Sequence, residues 1–321
     1  MTEASVSVVI PTWNRRDLLV RVLGALAAQS RRPLEVIVVD NASTDESAEA
    51  AEDAGARVLR MPSNLGFAKA VNAGIAEAKG TLVAILNNDV DLAADWLRLL
   101  TEAIGPDIWF ATGKILCAQQ PERVDGAFDL VARSGFAWRA GNGRKDGALW
   151  NQPRTIQMAS MTAALFRREL FEAVGPLDED YGNYYEDVDF GLRCALAELH
   201  GRYVPEAMAW HEGSATLGEW TPSMVELLSR NQRVLVRKHF PPGMSRPVWV
   251  GEWLWGALAW RRGCFQAWRR GRAAGNEAAI AVPGPQRGLA DVLAASEREL
   301  LLLQRQSGGD TYWRLYERLC G

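Results

Sequence analysis

Thr81-Leu82-Val83-Ala84-Ile85-Leu86-Asn87-Asn88-Asp89-Val90-Asp91 is the stretch on which the reading of this chain turns. Leu82 to Leu86 is apolar without alternation, so a strand here must be covered on both faces. It ends abruptly in amides and carboxylates. The same pattern recurs on either side. Val6 to Ile10 is a β-branched run that Pro11 should stop, and Leu34 to Val39 runs into Asp40-Asn41. Shorter strands are expected at Arg57–Arg60 and Ile108–Ile115. Between them, Asp17–Gln29, Asn64–Lys79 and Asp95–Ile104 have helical apolar spacing, and Ser43-Thr44-Asp45-Glu46 reads as a helix start. Strands alternating with helices imply an α/β fold with a central, mostly parallel sheet. Ligands of such sheets bind beyond the carboxyl ends of the strands. Here those ends are Pro11-Thr12-Trp13-Asn14, Asp40-Asn41 and Asn87 to Asp91.

Farther along, residues 116–155 are rich in Gly, Arg and Trp and read as loop. Strands are expected near Gln157–Phe166 and Arg202–Ala209, and helices at Arg168–Val174, Tyr185–Leu199 and residues 221–240. Beyond Pro241-Pro242-Gly243 the chain reads as helix, with a breaker at Pro283-Gly284-Pro285. Two regions result, 1–240 and 241–321. A chain of 321 residues, 48% apolar and 23% charged, can bury a full core without staples. Its four cysteines have no zinc-ligand spacing and read as free thiols of a reducing compartment. Met1 to Ser7 lacks the character of a leader peptide, and no run of about 18 apolar residues occurs. The expected location is cytoplasmic.

The formal net charge of −3 argues against nucleic acid as a partner. It averages two unlike parts. Residues 1–240 hold 25 basic and 32 acidic side chains, whereas residues 241–321 hold 11 and 7.

The strand ends exclude several chemistries. No G-x-G-x-x-G follows the first strand, and neither a P-loop nor a G-x-S-x-G elbow is present. The acids are more informative. Asp89 and Asp91, two apart in an extended segment, would share a side and can hold a hard divalent cation that in turn holds phosphate; they can equally cap a turn. Asp40 can cap a turn or accept hydrogen bonds from a base or ribose. Glu186-Asp187-Val188-Asp189 follows Tyr184-Tyr185 and opens a helix. One carboxylate there suits the helix dipole; three exceed capping and can include a general base. His211, past a predicted strand, is a structural residue or a metal ligand.

Taken together, these segments resemble the family 2 glycosyltransferases, inverting nucleotide-sugar enzymes with a GT-A fold, and most of all their bacterial rhamnosyltransferase-like branch. The matching segments are Val8 to Arg15, Val38 to Asp45, Asn64 to Ala68 with Asn72-Ala73-Gly74, Leu86 to Asp89, Thr162 to Arg193, and within it Tyr185 to Phe190. The resemblance covers about residues 5–240. It implies that Pro11, Thr12, Trp13, Asp40, Asn41, Asn64, Gly66, Asn87 and Asn88 line the nucleotide. It implies that Asp89 binds Mg²⁺ or Mn²⁺, with Asp91 and His211 as helpers, and that Asp187, with Glu186 beside it, is the catalytic base. Asn87 replaces the first acid of the family's D-x-D, and Gly182-Asn183-Tyr184 departs from the usual aromatic stretch. The implied donor is a dTDP- or UDP-linked sugar. The implied acceptor is a glycan or polyprenyl-linked saccharide in cell-surface polysaccharide synthesis. A nucleotidyltransferase and a non-catalytic carbohydrate-binding protein are the competing functions.

In the basic tail, Trp249, Trp253, Trp260, Cys264 and Trp268 share one face if Pro247–Arg272 is a single helix. Such a helix suits a membrane interface. Residues 245–272 are therefore expected to contact the inner face of the cytoplasmic membrane peripherally, to form a homodimer, or to pack on the catalytic domain.

Overall fold

The computed structural model describes residues 4–213, 220–281 and 286–320. The expected breaker at Pro283-Gly284-Pro285 and residues Met1 to Glu3 lie outside these. The first part alternates as β1 (Val6–Thr12), α1 (Arg16–Ala27), β2 (Glu35–Asp40), α2 (Ser47–Asp53), β3 (Arg57–Arg60), α3 (Phe67–Glu77), β4 (Leu82–Leu86), β5 (Val90–Leu92), α4 (Trp96–Ala103) and β6 (Ile108–Cys117). There follow β7 (Gln120–Gly126), β8 (Asp129–Val131), β9 (Ala137–Arg139), β10 (Arg154–Ile156), β11 (Ala163–Arg167), α5 (Arg168–Ala173), α6 (Glu186–Leu196), β12 (His200–His211) and α7 (Pro222–His239). The last part is α8 (Ser245–Arg261), α9 (Phe265–Glu277), α10 (Leu289–Gln306) and α11 (Thr311–Cys320).

One sheet runs in the order β10-β12-β6-β11-β4-β1-β2-β3, with β5 added to β12 and β7 to β6; β8 and β9 pair separately. The ladders β3-β2, β2-β1 and β1-β4 are parallel. β11 inserts antiparallel to both β4 and β6, which restores the common direction in β6 and its parallel partner β12. The sheet is therefore mixed, yet β1, β2, β3, β4, β6 and β12 run one way.

Pro11 does not stop β1. The Thr12 carbonyl accepts from Asn41 N on the β2 side at 2.8 Å, so the preceding nitrogen faces the β4 side. That ladder has already ended at Val9–Ile85, and the missing N–H of proline costs no sheet bond.

Two buried layers sandwich the sheet. Val8, Ile10 and Leu86 pack with Leu19, Val22 and Leu26 of α1 and Trp96, Leu97 and Leu100 of α4. On the other face Val9, Ile85 and Phe166 meet Val71 of α3, Phe171 of α5 and Phe190 of α6. The region 116–155 is not plain loop but carries β7, β8, β9 and β10. β8 is only three residues long and buried throughout, so it has no alternation to detect.

The tail joins the second layer rather than hanging free. Val250, Leu254, Leu300, Trp313 and Tyr316 belong to the same cluster as Phe128, Leu130 and Phe136. Ser296 Oγ accepts from Val131 N at 2.8 Å. Glu297, buried in α10, accepts from Arg133 N and from Tyr316 Oη, both at 2.8 Å. The expected single helix over Pro247–Arg272 is two helices. Gly263, at φ +74°, turns the chain after α8 as a helix-ending glycine does. Trp268 then folds back against Gly256, and Cys264 is buried. Among the described residues no helix is long and apolar enough to cross a membrane.

Candidate active site

The carboxyl ends of β1, β2 and β4 converge on a cleft. Pro11, Thr12, Trp13, Asn41, Asn64, Gly66, Asn87, Asn88, Asp89, Glu186 and Asp187 line it, together with Phe67, Arg139, Met161, Thr162, Asn183 and Tyr184.

The walls are built by side-chain bonds between strand-end loops. Asn14, in the left-handed region at φ +49°, accepts from Thr44 N at 2.7 Å and donates its own N–H to Ser43 Oγ at 2.9 Å. This ties the loop after β1 to the loop after β2. Ser43 to Glu46 is consequently loop; α2 starts only at Ser47, with Asp45 accepting from Ser47 N at 3.2 Å. Asn64 to Gly66 is likewise loop, because Asn64 Oδ1 accepts from Gly66 N at 3.1 Å, a local bond that competes with helix. Gly66 sits at φ +86°, and a Cβ there would meet the Gly182 carbonyl oxygen at 3.2 Å. Asn41 Nδ2 donates to the Gly66 carbonyl at 3.3 Å. At the floor, Asn88 Nδ2 donates to Thr12 Oγ1 at 2.8 Å.

Three expected residues lie elsewhere. Asp40 is buried and turns back to accept from Ser43 N at 3.2 and 3.3 Å, so it forms the turn behind Asn41. Asp91 is exposed on β5. Asn88 and Asp89 form a turn, so the two-residue periodicity of a strand does not carry from Asp89 to Asp91. His211 lies behind Asp89, with Nε2 3.2 Å from Asp89 Oδ1 and Nδ1 3.1 Å from Asp125 Oδ2. Burial works against its charged form, but the two carboxylates prevail and push its pKa up to about 9.

The opposite wall comes from α6 and the loop before it. Tyr184 and Tyr185 are consecutive residues at φ +65° and +74°, a conformation that costs energy outside glycine and clusters at functional sites. α7 holds it in place. Buried Asn231 directs Nδ2 at the carbonyls of Tyr181, Asn183 and Tyr184, at 3.0, 2.8 and 2.8 Å. The loop is also sewn to the opposite wall: Ala68 N donates to the Gly182 carbonyl at 3.1 Å and Phe67 N to Asn183 Oδ1 at 2.9 Å.

The three acids of Glu186-Asp187-Val188-Asp189 divide. Glu186 and Asp187 line the cleft, while Asp189 turns into the protein and meets Lys238 Nζ and His239 Nε2 at 2.7 Å and Arg193 Nε at 2.9 Å. Burial raises the Glu186 pKa well above its usual value, and the Asp187 charge adds to this. Burial also raises Asp187, but Arg139 opposes it. Asp187 is thus the member of the pair better able to stay ionised.

Arg139 is the site residue the sequence did not disclose, for it falls in the segment read as loop. Among the described lining residues it is the one basic side chain. It pairs with Asp125 at 3.3 Å and approaches Asp129 at 3.8 Å. Burial and the Asp187 charge push the Asp129 carboxyl up to about 7. A continuous row, Arg139–Asp125–His211–Asp89, links the two walls. Trp138-Arg139, an aromatic–cation pair in a Gly-rich region, was the available signal.

Buried Glu186 Oε2 has no hydrogen-bond partner, and Asp89 Oδ1 meets only the His211 imidazole, at 3.2 Å. Orphaned carboxylate oxygens suit a cation. Among the described residues no cluster of three His, Cys, Asp or Glu side chains forms a complete metal shell. Mg²⁺ characteristically takes only one or two carboxylates plus substrate phosphates, so this donor set fits such an ion.

A cleft of this build, at the strand ends of a mixed α/β sheet, is where such folds take their ligands. The family model described as Glycosyl transferase family 2 matches residues 7–175, and the chain belongs to that family. It is 31% identical over 240 residues to the N-acetylglucosaminyl-diphospho-decaprenol L-rhamnosyltransferase of Mycobacterium tuberculosis, covering 66% of this chain and 77% of that one. Its fold matches GalNAc-T7, solved with UDP, GalNAc and Mn²⁺, at TM-score 0.65 and 15% identity, over 92% of this chain and 57% of the other. The mannosyltransferase of Pyrobaculum calidifontis, solved with GDP-Man and Mn²⁺, matches at TM-score 0.54 and 20% identity, over 99% and 87%. The chain is a glycosyltransferase of GT-A fold with added C-terminal helices.

Proposed function

We propose that this chain is an inverting, divalent-metal-dependent glycosyltransferase that moves rhamnose from a dTDP-linked donor to a hydroxyl of a polyprenyl-linked saccharide. The M. tuberculosis relative, named for rhamnosyl transfer to a decaprenol-linked acceptor, supports the substrate class. The observation that carries the chemistry is the cleft itself, with Asp89 on one wall and the Glu186–Asp187 pair on the other.

Pro11, Thr12, Trp13, Asn41, Asn64 and Gly66 frame the nucleotide side, with Asp40 ordering the turn beneath Asn41. Trp13, half exposed at the rim, offers a ring for a base to stack on. Asp89 would hold the cation, oriented by His211; bound there, the ion would offset charge developing on the leaving diphosphate. Asp187 takes the acceptor proton as the hydroxyl oxygen bonds to the anomeric carbon. The electron pair of the breaking bond leaves with the diphosphate on the far side, and configuration inverts. Arg139 keeps Asp187 ionised. The enzyme would act at the inner face of the membrane that holds its acceptor.

Nucleoside diphosphate release from a panel of dTDP-rhamnose, UDP-sugars and GDP-sugars tests this. Turnover of dTDP-rhamnose that stops with excess chelator and returns with Mg²⁺ or Mn²⁺ is expected. Undiminished turnover in chelator removes the metal, and turnover of UDP- or GDP-sugars alone removes the donor assignment. Arg139→Gln should lower turnover at pH 7 about tenfold and shift the acid limb of the pH–rate profile upward, since Asp187 then loses the charge that opposes its protonation. Arg139→Lys should restore part of both. An unmoved limb would show that Arg139 does not act on the base.

A further inference from the structure

Beyond the cleft, the outer face of α8 exposes large aromatic side chains. Trp249, Trp253 and Trp260 are 65%, 56% and 72% exposed, more than any other tryptophan among the described residues. At 100° per residue their side chains fall within about 40° of one another. They form a row about three turns long; Gly256, on the same face between Trp253 and Trp260, is covered by Trp268, but the three rings themselves stay exposed. Trp255 stacks near Phe136 and Trp220, and Trp268 lies against Gly256.

The exposed charges around the stripe are mostly positive. Residues 245–277 carry six arginines and two glutamates. Glu252 is buried and faces inward, held by Arg233 at 3.1 Å and Arg272 at 2.8 Å, so α8 shows no acid to solvent. Arg261, at the end of the stripe, and Arg269, on α9, are both exposed. Nearby Arg270 is paired with Glu226. Indole rings sit at headgroup depth in a bilayer, and unpaired arginines attract anionic lipid, with screening over about 8 Å at physiological salt. A second copy would have to bring this basic stripe against itself across a two-fold interface.

We infer that the Trp249–Trp253–Trp260 face of α8, flanked by Arg261 and Arg269, docks on an anionic lipid surface. The inference deepens the membrane-proximal reading above and specifies its contact. The full chain should co-sediment with vesicles of phosphatidylcholine and phosphatidylglycerol, and much less with phosphatidylcholine alone. Trp249→Ser/Trp253→Ser/Trp260→Ser should weaken vesicle binding ~tenfold or more, with an unchanged thermal midpoint. Arg261→Gln/Arg269→Gln should weaken it less, and its remaining binding should be less salt-sensitive. dTDP release from dTDP-rhamnose in vesicle-free solution, read in parallel, should be the same in all three proteins. Equal binding by wild type and the triple variant overturns the inference. So does a wild-type dimer that the triple variant loses, with no vesicle binding by either, since the stripe then meets a second copy. Trp-dependent vesicle binding without dTDP release leaves the docking face standing and removes the donor assignment instead.

Discussion

Asp187→Asn is expected to lower sugar transfer by roughly 10²–10⁴-fold, the usual contribution of a positioned general base, in a protein that still folds. The fold should survive because the Asp187 carboxylate accepts from Val188 N at 2.8 Å, a bond an amide oxygen can also accept. The neighbouring acid supplies the control. Glu186 is driven further toward its neutral form than Asp187, by burial and by the Asp187 charge. Glu186→Gln therefore replaces the acid that burial holds further from its charged form by an amide of like shape and should cost far less. Single-turnover rates with thermal unfolding curves decide between them. Wild-type rates in folded Asp187→Asn, or a larger loss in Glu186→Gln, would reverse the assignment.

The largest effect on stability is expected two residues on. Asp189→Ala should destabilise the protein by about 3–5 kcal/mol, because it leaves Lys238, His239 and Arg193 without their shared buried counter-charge. At roughly 2–4 °C per kcal/mol for a chain of this size, the thermal midpoint should fall by about 10 °C. Burial pushes the Asp189 carboxyl up, but the hydrogen bond from His239 and the charges of Arg193 and Lys238 prevail and hold it well below the usual carboxylate range. A carboxyl depressed by folding stabilises fully above its unfolded value near 3.8 and loses that contribution as pH falls through the folded value. The gap between wild type and Asp189→Ala should thus be constant from pH 5 to neutrality and narrow in strong acid. Denaturant midpoints measured across that range test both size and sign, and a gap that widens toward acid would refute the account.

Asp187 and Asp189 also illustrate what a sequence can disclose. The strand–helix alternation was readable because β1, β2 and β4 have centres buried on both faces and composed almost wholly of apolar residues. The family's motifs then led to the carboxyl ends of β1, β2 and β4, and eleven of the fourteen expected site residues line one cleft. The acidic run at residues 186–189, however, reads as one feature. Only the packing of α6 against α7 divides it into two acids for the cleft and one for a buried ion cluster. Asp91 was misplaced because a turn interrupts the strand period. Arg139 was invisible because β9 is only three residues long, too short for its alternation to register, and its partner β8 is buried throughout. The tryptophan stripe was half right: Gly263 bends the chain before Cys264 and Trp268 can join it.

The two bonds that sew Phe67 and Ala68 to Asn183 and Gly182 have a consequence for motion. They join the loop proposed to sit beside the donor nucleotide to the strained turn that leads into Asp187. Neither segment can be displaced without breaking these bonds or dragging the other along. Displacement of the loop at Phe67 and displacement of the turn before Asp187 are thereby coupled through two hydrogen bonds.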